Sequence, residues 1–226
     1  MLSQGVQTRP EALHAPTAEA ADDKVFNKYF FHRNSIHRYR FTIQQKYTFH
    51  RIFRKAEGYM EIERKFAIKQ LPEMLSDYES KKIEQGYLCN DPILRIRKSN
   101  EDFILTYKSK QGIDPYTKQG AIVSQEIELP LTRKAYTLLK EKIEGNMVYK
   151  TRYLIPMEGD LTAELDIFEE QLSGLVFAEV EFPDYQAADE FIPPEWFGEE
   201  LSRDKRFSNY HLSKLSGFGD LNLQNG

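Results

Sequence analysis

From residue 60 onward, charged residues recur two apart in one short segment after another. Glu61, Glu63 and Lys65 come first, then Arg95 with Arg97, Lys108, Glu126 with Glu128, Lys150 with Arg152, Glu164 with Asp166, and Glu179 with Glu181. Successive side chains of an extended strand point to opposite faces, so residues two apart share a face. The residues between the charges are mostly apolar or small: Ile62, Ile96, Ile127, Thr151, Leu165 and Val180. A solvated sheet face is routinely charged. It gains nothing, however, from sorting arginines onto one strand and glutamates onto another, and most of these segments are sorted by sign. The charged face is therefore expected to have a purpose other than solubility.

The same alternation places strands near 60–69, 78–88, 92–99, 102–109, 121–129, 146–155, 160–167 and 175–182, with the polar string SNED forming a hairpin turn between the third and fourth. Helices are expected at 132–143, where Thr132 can cap, and at 184–191 and 206–215. The fold class is α+β dominated by β, with peripheral helices. Eight antiparallel strands can close into a barrel whose interior is filled by side chains or holds a small ligand. With the charged face turned inward, such a lumen is costly to desolvate unless its charges are paired or bound. A ligand satisfying both signs is a polyphosphate with Mg²⁺ or Mn²⁺. Carboxylates of Glu61, Glu63, Glu179 and Glu181 suit the hard cation. The forks and ammonium groups of Lys65, Arg95, Arg97, Lys108, Lys150 and Arg152 suit phosphate oxygens.

Composition narrows the remaining classes. No run of 18 apolar residues exists, and the first residues lack the basic start and apolar centre of a secretory signal. A single cysteine, Cys89, makes no internal disulfide, and no Cys/His string has zinc-ligand spacing. A cytoplasmic protein without a membrane partner is expected. The net charge of -4 is uneven: up to Gly58 there are ten Lys/Arg against five Asp/Glu, and the acidic excess lies beyond. An acidic domain is a poor general ligand for nucleic acid. Residues 1–58 hold four of the five histidines and a basic, aromatic stretch without helix or strand period. They are expected to be an N-terminal extension, disordered or translated from a start placed too far upstream, with residues 59–226 as the functional domain. An arm for RNA or a membrane surface is the alternative.

In order along the chain, EIERK, LRIRK, YKS, SQEIEL, KTRY, ELDIF and FAEVEF resemble the CYTH superfamily, the triphosphate tunnel metalloenzymes, whose ExExK signature matches Glu61, Glu63 and Lys65. The resemblance covers 60 to about 215. It implies an eight-stranded closed tunnel that binds a triphosphate with Mg²⁺ or Mn²⁺ and cleaves at a phosphorus. It adds Asp166 to the metal carboxylates Glu61, Glu63, Glu179 and Glu181, and makes Glu126 and Glu128 a central pair orienting water or cations. Glu164 is either of that group or a partner for Lys150 or Arg152. The string LSRDKRFSNYHLSKL resembles a C-terminal helix that plugs one mouth, where Lys205 and Arg206 add charge or are merely solvated.

No nucleophile stands out, since Cys89 lies beside the turn Asn90-Asp91-Pro92. In-line attack by water is expected, with Lys150 assisting if crowding lowers its pKa and Tyr87 orienting the water. The short layout looks like the bacterial inorganic triphosphatases, which split tripolyphosphate into pyrophosphate and phosphate. Thiamine triphosphatase, class IV adenylate cyclase and a non-catalytic polyphosphate-binding module are the alternatives, and homodimerisation is left open.

Overall fold

The computed structural model describes residues 58–221 in full and, before them, the backbone of 27–32 and 35–40. The chain divides into two compact units, Met1–Phe49 and His50–Gly226. In the first, β1 (Asn27–His32) and β2 (Ser35–Arg40) pair as an antiparallel hairpin. No strand is expected there from the sequence, because no alternation marks a buried face. Aromatic and β-branched residues favour extended backbone without one.

The second unit is a barrel of β3 (Tyr59–Ile68), β4 (Glu79–Asn90), β5 (Ile93–Ser99), β6 (Asp102–Ser109), β7 (Ile122–Pro130), β8 (Glu144–Pro156), β9 (Thr162–Phe168) and β10 (Val176–Glu181). Every neighbouring pair is antiparallel, the order around the wall is β3-β7-β6-β5-β4-β8-β9-β10, and β10 pairs back onto β3 to close it. All eight expected strands are present, with ends moved by a few residues. An additional strand, β11 (Phe197–Glu200), was not expected. Its reason is an open edge: β7 covers β3 only from Tyr59 to Glu63, and β11 pairs the remainder at Phe66 and Ile68.

Among the described residues, three α-helices lie outside the strands. Helix α1 (Arg133–Lys140) is capped by the Thr132 hydroxyl, which accepts from the Ala135 N–H at 3.1 Å. It stops short of the expected 143 because Ile143 turns in, with Met147, over Gly86, where even a Cβ would come within 2.8 Å of Ile143 and 2.7 Å of Met147. Helix α2 (Tyr185–Glu190) starts at the Asp184 cap. The expected helix 206–215 is reduced to α3 (Asn209–Leu212), preceded by a 3₁₀ turn at Lys205–Phe207. Asp204 and Ser208 each cap a new turn, accepting from Arg206 N at 2.9 Å and His211 N at 3.2 Å, and so divide the segment.

Two apolar clusters hold this unit together. One sheathes the outside of the wall: Ile62, Phe66, Val123, Leu165, Ala178 and Val180 pack beneath Phe182, Ala188 and Phe197. These are the residues alternating with the charges, so the charged face is the inner one. The second cluster lies at one end of the lumen. Val148, Phe168 and Phe177 continue the inward-facing positions of β8, β9 and β10, and they are sealed by Leu201, Phe207, Leu212, Leu215 and Leu221 from the C-terminal tail. The plug expected from the sequence is thus a coiled tail with one helical turn.

Candidate active site

Strand order gives the lumen a property invisible in the linear sequence. β8, β4, β5 and β6 are adjacent and carry Arg152, Lys150, Lys81, Arg97, Arg95 and Lys108, while β7, β3, β10 and β9 are adjacent and carry the carboxylates. One half of the tunnel wall is cationic and the other acidic, Lys65 being a cation on the acidic side.

Ion pairs close the two seams where the halves meet. At the β6/β7 seam the Lys108 ammonium contacts Glu61, lies 3.5 Å from Glu63 and 3.7 Å from Glu126, and Arg95 Nη2 lies 3.9 Å from both Glu126 and Glu128. Arg95 also donates to Thr106 at 3.0 Å, and Ser124 and Tyr59 donate to Glu61 at 3.1 Å and Glu126 at 3.3 Å. At the β8/β9 seam Arg152 donates to Asp166 Oδ1 at 2.7 Å, Asp166 Oδ2 at 2.6 Å and Glu179 at 2.6 Å, and contacts Glu164. Lys150 Nζ, fully buried, sits 2.5 Å from Asp166. Lys65 lies 3.0 Å from Glu179 and donates to the Phe207 carbonyl at 2.8 Å, which ties the tail to the lumen. The site residues expected from the sequence therefore line one tunnel. Glu181, at its open end, is exposed and stands directly opposite Glu63 in the strand register.

Arg97 differs from the other arginines of the lumen. It lies in the middle of the cationic wall, away from both seams, and among the described residues it has no carboxylate partner; Nε donates to Gln85 at 3.3 Å. Gln85 donates in turn to the Tyr87 hydroxyl at 3.0 Å. Gln85, Lys81, Tyr59, Thr106 and Ser124 were not expected from the sequence. Four of them are uncharged and carry no sign to sort, although the period-two rule applied back from Tyr87 puts Gln85, and with it Lys81, on the inner face.

Electrostatics follow from this layout. Burial, with Arg95 and Arg152 beside it, holds the Arg97 guanidinium below its ordinary pKa. Burial lowers Lys150 to about 8, overriding the opposing pull of Asp166 and Glu179, with Arg152 and Arg97 adding to the lowering. Lys108 is raised because Glu61, Glu63 and Glu126 overcome its burial. Glu61 is raised by burial and by its neighbours Glu63, Glu126 and Glu181, against Lys108. Glu179 is held well below the carboxylate range: Lys65, Arg152 and Lys150 override its burial.

Among the described residues no three His, Cys, Asp or Glu side chains converge as a ready metal cage. The donor set nevertheless fits a hard divalent cation. Glu61 and Glu63 offer oxygen alone, Glu63 faces Glu181 across the strand pair, and their mutual repulsion is relieved here by the Lys108 ammonium. Lys108 thus stands in for part of the positive charge that a metal ion would bring.

A closed barrel with a sign-divided lumen defines the class: a polyanion tunnel of the CYTH, or triphosphate tunnel metalloenzyme, type. Two curated relatives agree. An inorganic triphosphatase of Nitrosomonas europaea is 37% identical over 156 residues, which is 68% of this chain and 96% of that protein. An inorganic triphosphatase of Acetivibrio thermocellus is 35% identical over 133 residues, 58% of this chain and 78% of that protein. Among solved structures, an inorganic triphosphatase at 36% identity covers 68% of this chain and 93% of its own, with a TM-score of 0.49. No protein-family model matches the chain. The chain belongs to the inorganic triphosphatase family. Membership of a metalloenzyme class implies a divalent metal ion.

Proposed function

We propose that this protein hydrolyses inorganic tripolyphosphate to pyrophosphate and phosphate, with Mg²⁺ or Mn²⁺ as cofactor. The observation that carries this reading is Arg97: a lumen arginine with no carboxylate partner among the described residues, flanked by cations, asks for an anion. The names of the curated relatives supply the substrate class. A triphosphate laid along the cationic wall meets Lys108, Arg95, Arg97, Lys150 and Arg152, with Lys65 reaching across from the acidic side. Glu61, Glu63 and Glu181, with Glu179 beside them, would hold the metal ion, which when bound neutralises phosphate charge and polarises a phosphoryl oxygen. The sequence groups Asp166 with these carboxylates, but both its oxygens are engaged by Lys150 and Arg152, which favours a role in fixing those two cations. Glu126 and Glu128 hold Arg95 and Lys108 in the same manner.

Chemistry then needs one proton acceptor. Water attacks the terminal phosphorus in line, the bond from that phosphorus to its bridging oxygen breaks, and pyrophosphate leaves with the electron pair. A Lys150 amine near pKa 8 is neutral often enough at neutral pH to take the proton from the water. A small free substrate, the single cysteine and the lack of a long apolar helix among the described residues are consistent with a cytoplasmic enzyme that engages neither nucleic acid nor membrane.

The test is phosphate release from tripolyphosphate, ATP and thiamine triphosphate, side by side, with and without Mg²⁺ or Mn²⁺. Tripolyphosphate should be turned over fastest and only with metal. Arg97→Ala should raise its KM by about tenfold or more, the value of one charge-assisted hydrogen bond. Preference for ATP or thiamine triphosphate, or an unchanged KM in the variant, would overturn the reading.

A further inference from the structure

Gln85 is completely buried, uncharged, and set among the most highly charged side chains of the molecule. Its two bonds are not symmetrical. Arg97 Nε–H can only donate, so the atom of Gln85 facing it at 3.3 Å must be the carbonyl oxygen. That choice fixes the amide: its NH₂ group faces Tyr87 at 3.0 Å and makes the phenol oxygen an acceptor. The Tyr87 O–H is then left to donate elsewhere. Tyr87 is nearly fully buried, faces the lumen beside Arg95 in the strand register, and feels Arg95, Arg97 and Lys108 from one wall and Glu179 from the other. Its hydroxyl therefore belongs to the cationic wall of the lumen, beside Gln85 and in register with Arg95. Burial raises its pKa, which keeps the proton in place for donation.

We infer that Gln85 is a positioning residue, which sets a one-way chain of hydrogen bonds from Arg97 through Gln85 to Tyr87 and obliges the Tyr87 hydroxyl to donate to a phosphoryl oxygen of the substrate. The inference rests on the triphosphatase reading above and deepens it. It replaces the water-orienting role expected for Tyr87 with that of a neutral donor to the triphosphate. Such a donor complements the arginines: it adds a hydrogen bond without adding repulsion to a wall already crowded with cations.

The direction of the chain can be reversed by nearly isosteric chemistry. In Gln85→Glu a carboxylate, which only accepts, takes the place of the NH₂ donor. The Tyr87 O–H then turns to the new carboxylate and is withdrawn from the substrate, while Arg97 gains an ion pair. The experiment measures kcat and KM for tripolyphosphate, and its Kd by calorimetry, for wild type, Q85E, Q85L, Y87F and Q85E/Y87F. Melting temperatures report folding.

Y87F and Q85E should each lose about tenfold in kcat/KM, and the double variant should be no worse than Q85E alone, because the donor is already lost there. Q85L, which leaves Arg97 unheld and the phenol free to rotate, should mainly raise KM and Kd. Full additivity of Q85E and Y87F, or wild-type constants in Q85E, would overturn the inference. If Q85E fails to fold, a Q85L variant with wild-type KM and Kd overturns it equally. If wild type binds tripolyphosphate without turnover, the hydrolytic reading fails and the same cycle in Kd still decides the role of Gln85. Absence of both binding and turnover in wild type would overturn both.

Discussion

Lys150 shows how three weak facts make one strong constraint. It is fully buried, its ammonium is 2.5 Å from Asp166, and it has Arg152 and Arg97 as cationic neighbours. Burial wins over the pull of Asp166 and holds the pKa down at about 8. The sign has two consequences. Because its folded pKa lies below the ordinary lysine value of 10.5, the cost of charging it is fully present below about 8 and fades as pH rises toward 10.5. Because the neutral amine is the form that accepts a proton, kcat should rise with pH through about 8 and level off above it. Lys150→Arg, which keeps the charge and cannot deprotonate, should lose about 100-fold in kcat together with that limb. A pH–rate profile of the two enzymes decides it; an unchanged limb in K150R would assign it to another group. Charged residues of this kind were legible in the sequence, because charge and period two are both written there. Most of their partners were not, the pairing of Glu164 with Arg152 excepted. That Lys108 meets Glu61, and that Arg97 meets no carboxylate among the described residues, depend on which strands adjoin, and nothing in the linear order states that β3 lies beside β7 or that β4 falls between β5 and β8.

At the scale of elements, strand alternation carried far because the barrel has buried residues on both faces: apolar outward beneath a sheath, charged inward. The eight strands were therefore readable, whereas FGEE at β11, four residues filling an edge left by β7, has no pattern of its own. The tail was misjudged in form though not in place. Its helix is broken by the caps Asp204 and Ser208, yet Phe207, Leu212 and Leu215 still close the lumen over Phe168 and Phe177. Leu212 is fully buried in that seal. Leu212→Ala should cost about 2–5 kcal/mol of stability from lost burial and the cavity left behind. It should also raise KM, since the same tail supplies the carbonyl that holds Lys65. Chemical denaturation and steady-state kinetics check the two parts; a loss under about 1 kcal/mol would mean the seal collapses around the gap.

At the scale of the whole molecule, the barrel unit accounts for its own closure, since β10 returns to β3 within residues 59–181. We propose that residues 1–57 are dispensable for the barrel. Strand β3 begins at Tyr59, the first residue of the expected functional domain, and the Tyr59 hydroxyl donates to Glu126. A chain starting at Gly58 should keep the melting temperature and kcat of the full chain, whereas one starting at Met60 should lose some of each. A fall of several degrees in the first case would show that the N-terminal segment stabilises the barrel.

The seams of the tunnel bear on how any ligand enters. With Lys108, Arg95, Arg152 and Lys65 holding carboxylates, the lumen lining is an internal salt. On the proposed reading, a triphosphate draws those cations to itself as a counter-ion of its own takes over the carboxylates they release. Loading would then be an exchange of ionic partners in place of a simple addition. Metal and triphosphate should consequently strengthen each other's binding by one and the same factor, whichever arrives first.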